Sequence, residues 1–386
     1  MKTFTPARAL RALATAIFAA VSLNACDDAS TTADAWDWQT PAHFPAPLVP
    51  ADNPMTAEKV ELGRMLFYDT ALSRDGSMSC ASCHHQDKAF SDGLAHPIGI
   101  DGEPVRRNSM ALFNLAWGSS FTWGNPYIRS LEEHATIPLF ATLPAELGNA
   151  EGFELEARLQ GVRDYDARFR EAFPLDDAPL STTNVVRALG AFLRTIVSSD
   201  SAYDRYLGGD RDALSPAAKR GMELFFSEKF ECFHCHGGFN FTASVSHEGQ
   251  IEATNSFHNT GLYNLDERGS YPTGDPGLFD ITSRDSDRGK FRAPSLRNIA
   301  LTAPYMHDGS VETLEEVIEI YARGGRLIEE GPYAGDGAEN PNKSTFVLGF
   351  RLRDTEMEDL LAFLDALTDE SLTTNPAYGS PFLNEE

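Results

Sequence analysis

The sequence predicts a mainly α fold in two domains, and three observations carry that prediction. Apolar residues recur at helical spacing in several stretches, whereas no run of alternating apolar and polar residues marks a sheet. Each half of the chain also holds one Cys-x-x-Cys-His motif, Cys80–His84 in the first and Cys232–His236 in the second. Short helices joined by long loops around two such motifs give the expected architecture.

The elements follow in order. From Thr183 to Ser198, Val185, Val186, Leu189, Phe192, Leu193, Ile196 and Val197 share one helical face. Thr313 and Glu316 form a capping box for a helix with apolar Leu314, Val317, Ile318 and Tyr321, stopped by Gly324 and Gly325. Thr355 and Glu358 are expected to open another, with Met357, Leu360, Leu361 and Leu364 inward. Residues 244–292 are rich in Gly, Asp and Asn and show little periodicity. So long a loop in a compact domain is usually functional or wraps a cofactor.

Residues 1–25 read as a lipoprotein signal peptide: Lys2, Arg8 and Arg11, then the apolar run ALATAIFAAVSL, then Asn24-Ala25-Cys26. Leu23-Asn24-Ala25-Cys26 looks like the box in which the cysteine is acylated after cleavage. Of the five cysteines, four fall into two CxxC pairs and Cys26 is left over, which acylation explains. The expected location is therefore periplasmic, with a lipid at Cys26 as the only membrane contact. Residues 26–47 are polar and proline-rich and read as a flexible tether in which Trp36 and Trp38 are incidental. Two domains are expected beyond it, 48–205 and 206–386. The net charge of −25 argues against nucleic acid and anionic lipid headgroups as partners.

Each CxxCH fits covalent attachment of haem c. The two thiols add across the haem vinyl groups, and the adjacent histidine is placed to bind iron. Two CxxC pairs could instead hold zinc. Zinc, however, needs no histidine directly after each second cysteine, and haem attachment needs one both times. Cys80, Cys83 and His84 therefore form one expected haem site, and Cys232, Cys235 and His236 the other, making two cytochrome c-like domains. His85 is a bystander.

The stretches KVELGRMLFYDTALS, RNSMALFNLAWG and FRAPSLRNIALTAPYMHDGSVETLEEVIEIYARGG resemble the bacterial di-haem cytochrome c peroxidases and the related MauG enzymes. FPAPLVPADNPMTAEKVELG, LEEHATIPLF and CFHCHGGFNFT resemble the MbnH-type di-haem enzymes more closely still. That subgroup is associated with a secreted copper-binding partner, MbnP, in which it converts a tryptophan to kynurenine.

The resemblance implies roles residue by residue. Resting peroxidases carry a second histidine on the first haem, and that position is Ile100 here, with His96 four residues away. The first haem is thus expected to be open and peroxide-reactive. Tyr321 stands where the peroxidases place a methionine ligand on the second haem and where the MauG and MbnH groups have tyrosine; Met306 is the alternative. Methionine ligation raises the iron potential, whereas a phenolate favours higher oxidation states. Glu146 resembles the acid/base for O–O cleavage. His134 occupies a position usually held by glutamine, Pro138 lines the same pocket, and Trp123 matches the tryptophan between the haems. Asn108 and the carbonyls of Thr302 and Pro304 resemble ligands of an inter-haem calcium ion. One feature departs from the pattern: MauG's surface tryptophan before the second motif is Phe230 here.

The function expected from these parts uses hydrogen peroxide to form a high-valent two-iron state. That state oxidises a tryptophan on a partner protein, such as an MbnP-like copper-binding protein. The rival readings are a detoxifying peroxidase fed by a small cytochrome, and an electron carrier with both irons saturated.

Overall fold

Residues 36–382 are described in a computed structural model of the chain. The expected signal peptide, Cys26 and the first part of the expected tether lie outside them. Helices dominate among the described residues. The sheet in these described residues is limited to two antiparallel ribbons, Phe257–Asn259 with Lys290–Arg292 and Leu327–Ile328 with Gly335–Asp336. The mainly α expectation holds. No described helix is long and apolar enough to cross a membrane.

The same helix crossing is built twice. In the first lobe, Thr56 caps the helix Ala57–Tyr68 by accepting from the Lys59 amide at 3.2 Å. This helix crosses Thr182–Thr195, which buries Val185, Leu189 and Phe192 as the periodicity predicts. At the crossing, a Cβ on Gly63 would fall 1.9 Å from the Ala188 carbonyl oxygen. In the second lobe, Pro216–Phe225 crosses Asp354–Asp365, and a Cβ on Gly221 would fall 1.8 Å from the Asp359 carbonyl oxygen. Glycine weakens an exposed helix by about 1 kcal/mol relative to alanine, so close backbone approach explains both. A phenylalanine follows each glycine by one turn and meets its counterpart, Phe67 with Phe192 at 5.4 Å and Phe225 with Phe363 at 5.3 Å.

Each crossing anchors its own hydrophobic core, one centred on Leu66, Phe67 and Phe192, the other on Phe225, Phe241 and Phe363. The last helix, Glu370–Thr374, buries Leu372 in the first core. Gln86 holds this segment by donating to the carbonyls of Leu372 and Asn375, and Tyr68 donates to that of Tyr378. The end of the chain thus returns to the first lobe.

Two expectations need correction. The stretch 36–47 is packed rather than a free tether: Phe44 is buried, and His43 bonds Asp204 at 2.9 Å. Trp38 rests on Trp117. Polar composition concealed these few aromatic anchors. The helix expected to open at Thr355 starts one residue earlier, at Asp354. Its first turn is closed by Glu356, whose carboxylate accepts from the Arg353 amide at 3.1 Å. Thr313, by contrast, caps Leu314–Arg323 as expected, and Gly324 ends it at φ +82°.

Candidate active site

Each CxxCH motif sits on a tight turn beside its helix crossing. Cys80–Ser82 forms a single 3-10 turn, and Phe233–His236 a single α turn. The four thiols are not disulfide-bonded. Among the described residues they form no joint cluster with metal-ligand geometry. Burial pushes Cys80, Cys83 and Cys232 up to about 12, and Cys235 up to about 11.

The two histidines share one arrangement. The carbonyl of Phe90 accepts from His84 Nδ1 at 2.7 Å, and that of Pro294 accepts from His236 Nδ1 at 3.0 Å. A backbone carbonyl can only accept, so each Nδ1 carries the proton and each Nε2 is left as the free ligand atom. Burial lowers both rings, His236 to about 4, which keeps them neutral and able to bind iron.

The first site brings His134 and Glu146 to His84. The helix Leu131–Phe140 carries His134 and Pro138 and is fixed by Glu132, which pairs with buried Arg194 at 2.8 Å. The Pro138 carbonyl accepts from the Leu147 amide at 2.9 Å, tying this helix to the Glu146 segment. Ile100, at the position of the peroxidases' second histidine, donates its amide to the Ala145 and Glu146 carbonyls. Residue 100 therefore holds the carboxylate segment in place. His96 bonds the Val105 carbonyl at 3.0 Å.

Burial raises the pKa of Glu146. Burial, the nearby His84 and the Arg292 charge lower His134 to about 4. The pair is a carboxyl that keeps its proton above the usual range and an imidazole that stays neutral.

The second site is an apolar cavity of about 1390 Å³ including its open mouth, lined by Cys232, Cys235, His236, Tyr321 and Met306. Residues 257–271, from the long loop, supply His258, Leu262 and Tyr271 to its wall. Burial raises the Tyr321 phenol, and the Cys235 and Cys232 thiols, which line the same cavity, raise it further. The residues present at the second motif thus fit a covalently held, planar apolar group, and the first motif offers the same two thiols and a free histidine nitrogen.

A second cavity is lined by Asn108, Thr302 and Pro304 together. Asn108 donates its Nδ2 to the Leu94 carbonyl, leaving Oδ1 free, and its own carbonyl accepts from Trp123 Nε1 at 2.9 Å. The carbonyls of Thr302 and Pro304 accept no hydrogen bond among the described residues. Trp123 lines both this cavity and that of the second motif.

Sequence reasoning missed Arg292, which lines both cavities and donates to the Thr122 carbonyl. It also missed buried His307, which stacks on Phe291 at 3.6 Å. Both lie inside the quoted motif FRAPSLRNIALTAPYMHDG, so the motif located them but gave no reason for them.

Residues 57–212 match the sequence profile of the di-haem cytochrome c peroxidase family. The chain is 36% identical over 321 residues to methylamine utilization protein MauG of Methylorubrum extorquens, covering 83% of this chain and 81% of that protein. It is 30% identical over 315 residues to cytochrome c551 peroxidase of Pseudomonas aeruginosa, covering 82% and 80%. A solved MauG-like protein associated with microbial copper homeostasis superposes with a TM-score of 0.88 at 48% identity, covering 90% of this chain and 100% of that one. The di-haem peroxidase BthA of Burkholderia thailandensis shares the fold, with a TM-score of 0.66 at 23% identity, covering 90% and 96%. Similarity of this extent, over both haem-binding motifs, makes the chain a haem-dependent, peroxidase-like oxidoreductase of the MauG and di-haem cytochrome c peroxidase family.

Proposed function

We propose that this protein is an MbnH-type enzyme that spends hydrogen peroxide on oxidising a tryptophan of a copper-binding partner protein to kynurenine. The observation that carries this reading is the contrast between the two sites. The first pairs His84 with a potential acid/base, Glu146, whereas the second sets Tyr321 beside Cys232, Cys235 and His236. Bound at the two motifs, haem c supplies peroxide chemistry at the first and a reservoir of oxidising equivalents at the second.

The chain's own residues then have distinct tasks. His84 and His236 present Nε2. Glu146 takes a proton from one peroxide oxygen and returns it to the other. Neutral His134 accepts or donates a hydrogen bond beside it. Trp123, which the family resemblance puts between the haems, lines the cavity of the second motif and that of Asn108 and gives electrons a path between the sites. Asn108, Thr302 and Pro304 offer oxygen atoms to calcium, with water completing the shell. Half-buried Arg292 shares that cavity and contributes positive charge of its own.

The copper link is supported by the 48% identity to a MauG-like protein associated with copper homeostasis. The chemistry balances with two peroxides per residue: tryptophan and two H₂O₂ yield kynurenine, formate and water. We further place the mature protein in the periplasm, held by a lipid on Cys26. Electron paramagnetic resonance of the ferric protein tests the reading. One high-spin and one low-spin haem are expected; two low-spin haems would contradict an open first site and favour the rival readings.

A further inference from the structure

Three of the chain's four tryptophans lie in one ring-to-ring series. Trp117 is fully buried (0% exposed), and its ring centroid lies 6.1 Å from that of Trp38. Trp38 lies 6.5 Å from Trp36, and both of these are partly exposed. The inner end adjoins the second haem motif. Trp117 meets Phe239 at 5.8 Å, and Phe239 is three residues beyond His236. Phe44 closes the cluster by touching both rings, Trp117 at 5.4 Å and Phe239 at 4.9 Å.

The exit position used by MauG does not serve here. Phe230 is buried (4% exposed) against Phe350, and a benzyl ring is far harder to oxidise than an indole.

We infer that Trp117, Trp38 and Trp36 form a conduit carrying oxidising equivalents from the second haem to the surface, with Trp36 as the terminal station where a protein substrate delivers its electron. This rests on the proposed peroxide-driven function. Tunnelling weakens steeply with distance, and indoles in near contact lie well inside its range. Phe239 and Phe44 are not stations but packed matter through which the electron crosses.

Proton positions favour outward movement of the hole. Trp117 donates its Nε1–H to the Pro45 carbonyl at 2.8 Å. A carbonyl cannot take up that proton, so oxidised Trp117 keeps it, remains a strong oxidant and draws an electron from Trp38. Trp36 reaches solvent, where its indole proton can leave to water, and the exposed Asp37 beside it favours positive charge at this end.

The bookkeeping is complete. One electron leaves Trp36 and reduces the peroxide-oxidised two-haem unit by one equivalent, and the substrate's aromatic ring restores it. Two such transfers with two protons complete the reduction of one H₂O₂ to two waters.

The test uses ferric holoenzyme, hydrogen peroxide and no partner protein. In Trp38→Phe, the reaction with peroxide should keep its wild-type rate. Decay of the oxidised state should slow roughly tenfold, about 1.4 kcal/mol of barrier. Oxygen addition to the peptide carrying Trp36, read by mass spectrometry, should be lost. Trp38→Tyr, which is still oxidisable, should restore part of the decay, and Trp36→Phe, a surface change, should abolish the terminal radical signal. An unaltered haem spectrum in each variant establishes folding. If the wild type forms no oxidised state with peroxide, the proposed function fails and the conduit with it. If the state forms but decays alike in Trp38→Phe and wild type, the conduit alone is overturned.

Discussion

Replacing Glu146 with glutamine isolates its proton transfer, because the surroundings hold the new side chain where the old one was. Its backbone is pinned by the Ile100 amide, and the neighbouring Leu147 amide bonds the Pro138 carbonyl at 2.9 Å. Neither contact uses the carboxylate. Burial raises the pKa of that group. A peroxide proton must be taken by an ionised carboxylate, so the wild-type rate should fall as pH drops through the raised value. The falling limb should therefore lie above the ordinary glutamate value of about 4.3.

His134 is a poor substitute. Held at about 4, its imidazole is a weak base and carries no proton to give at neutral pH. Loss of general acid–base catalysis should then show its full size, about 10²-fold or more in the second-order rate with peroxide. At 10²-fold this is about 2.7 kcal/mol. Stopped-flow mixing of ferric enzyme with peroxide across pH 4 to 9 (a range of about five decades in proton activity) measures both features. A Glu146→Gln protein that reacts as fast as wild type, with the same pH limb, would refute this assignment.

Other predictions follow from the same geometry. Tyr321→Phe should alter the low-spin haem signal and suppress storage of oxidising equivalents; an unchanged spectrum would favour Met306 as the ligand. Arg297 is fully buried and bonds Asp204 through both nitrogens, at 2.7 and 2.8 Å. Asp204→Asn should therefore cost about 3–5 kcal/mol in denaturant unfolding, by leaving that buried charge without its carboxylate. Burial alone would raise Asp204, but the Arg297 hydrogen bonds and charge outweigh it and hold the carboxyl at about 2. The group is depressed, so its contribution of about 2 kcal/mol is present above pH 4 and lost as pH falls towards 2. Cys26→Ser should abolish lipid attachment, which mass spectrometry of the native N-terminus reads directly.

Much of this architecture was legible because the chemistry is local. Haem attachment is written in five consecutive residues, and the helix Thr182–Thr195 in its apolar face. The hydrogen bonds that orient His84 and His236 were not legible, since Phe90 and Pro294 act through backbone carbonyls that any residue offers. The repeated crossing at Gly63 and Gly221 was also hidden. A glycine in a helix signals close approach only once its partner is known, and the partners lie far along the chain. Trp36 and Trp38 were misjudged for a related reason. Their neighbours are polar and flexible in composition, and only the distant Trp117 and Phe44 give them a structural setting.

The central claim is that peroxide equivalents end on a protein. Purified holoenzyme, hydrogen peroxide and a copper-binding protein of the MbnP type should be combined, and that protein's peptides mapped by mass spectrometry. The account predicts one tryptophan converted to kynurenine, a net gain of one oxygen and loss of one carbon, only when enzyme and peroxide are both present. An unmodified partner, alongside rapid oxidation of a small reduced cytochrome by the same preparation, would contradict it.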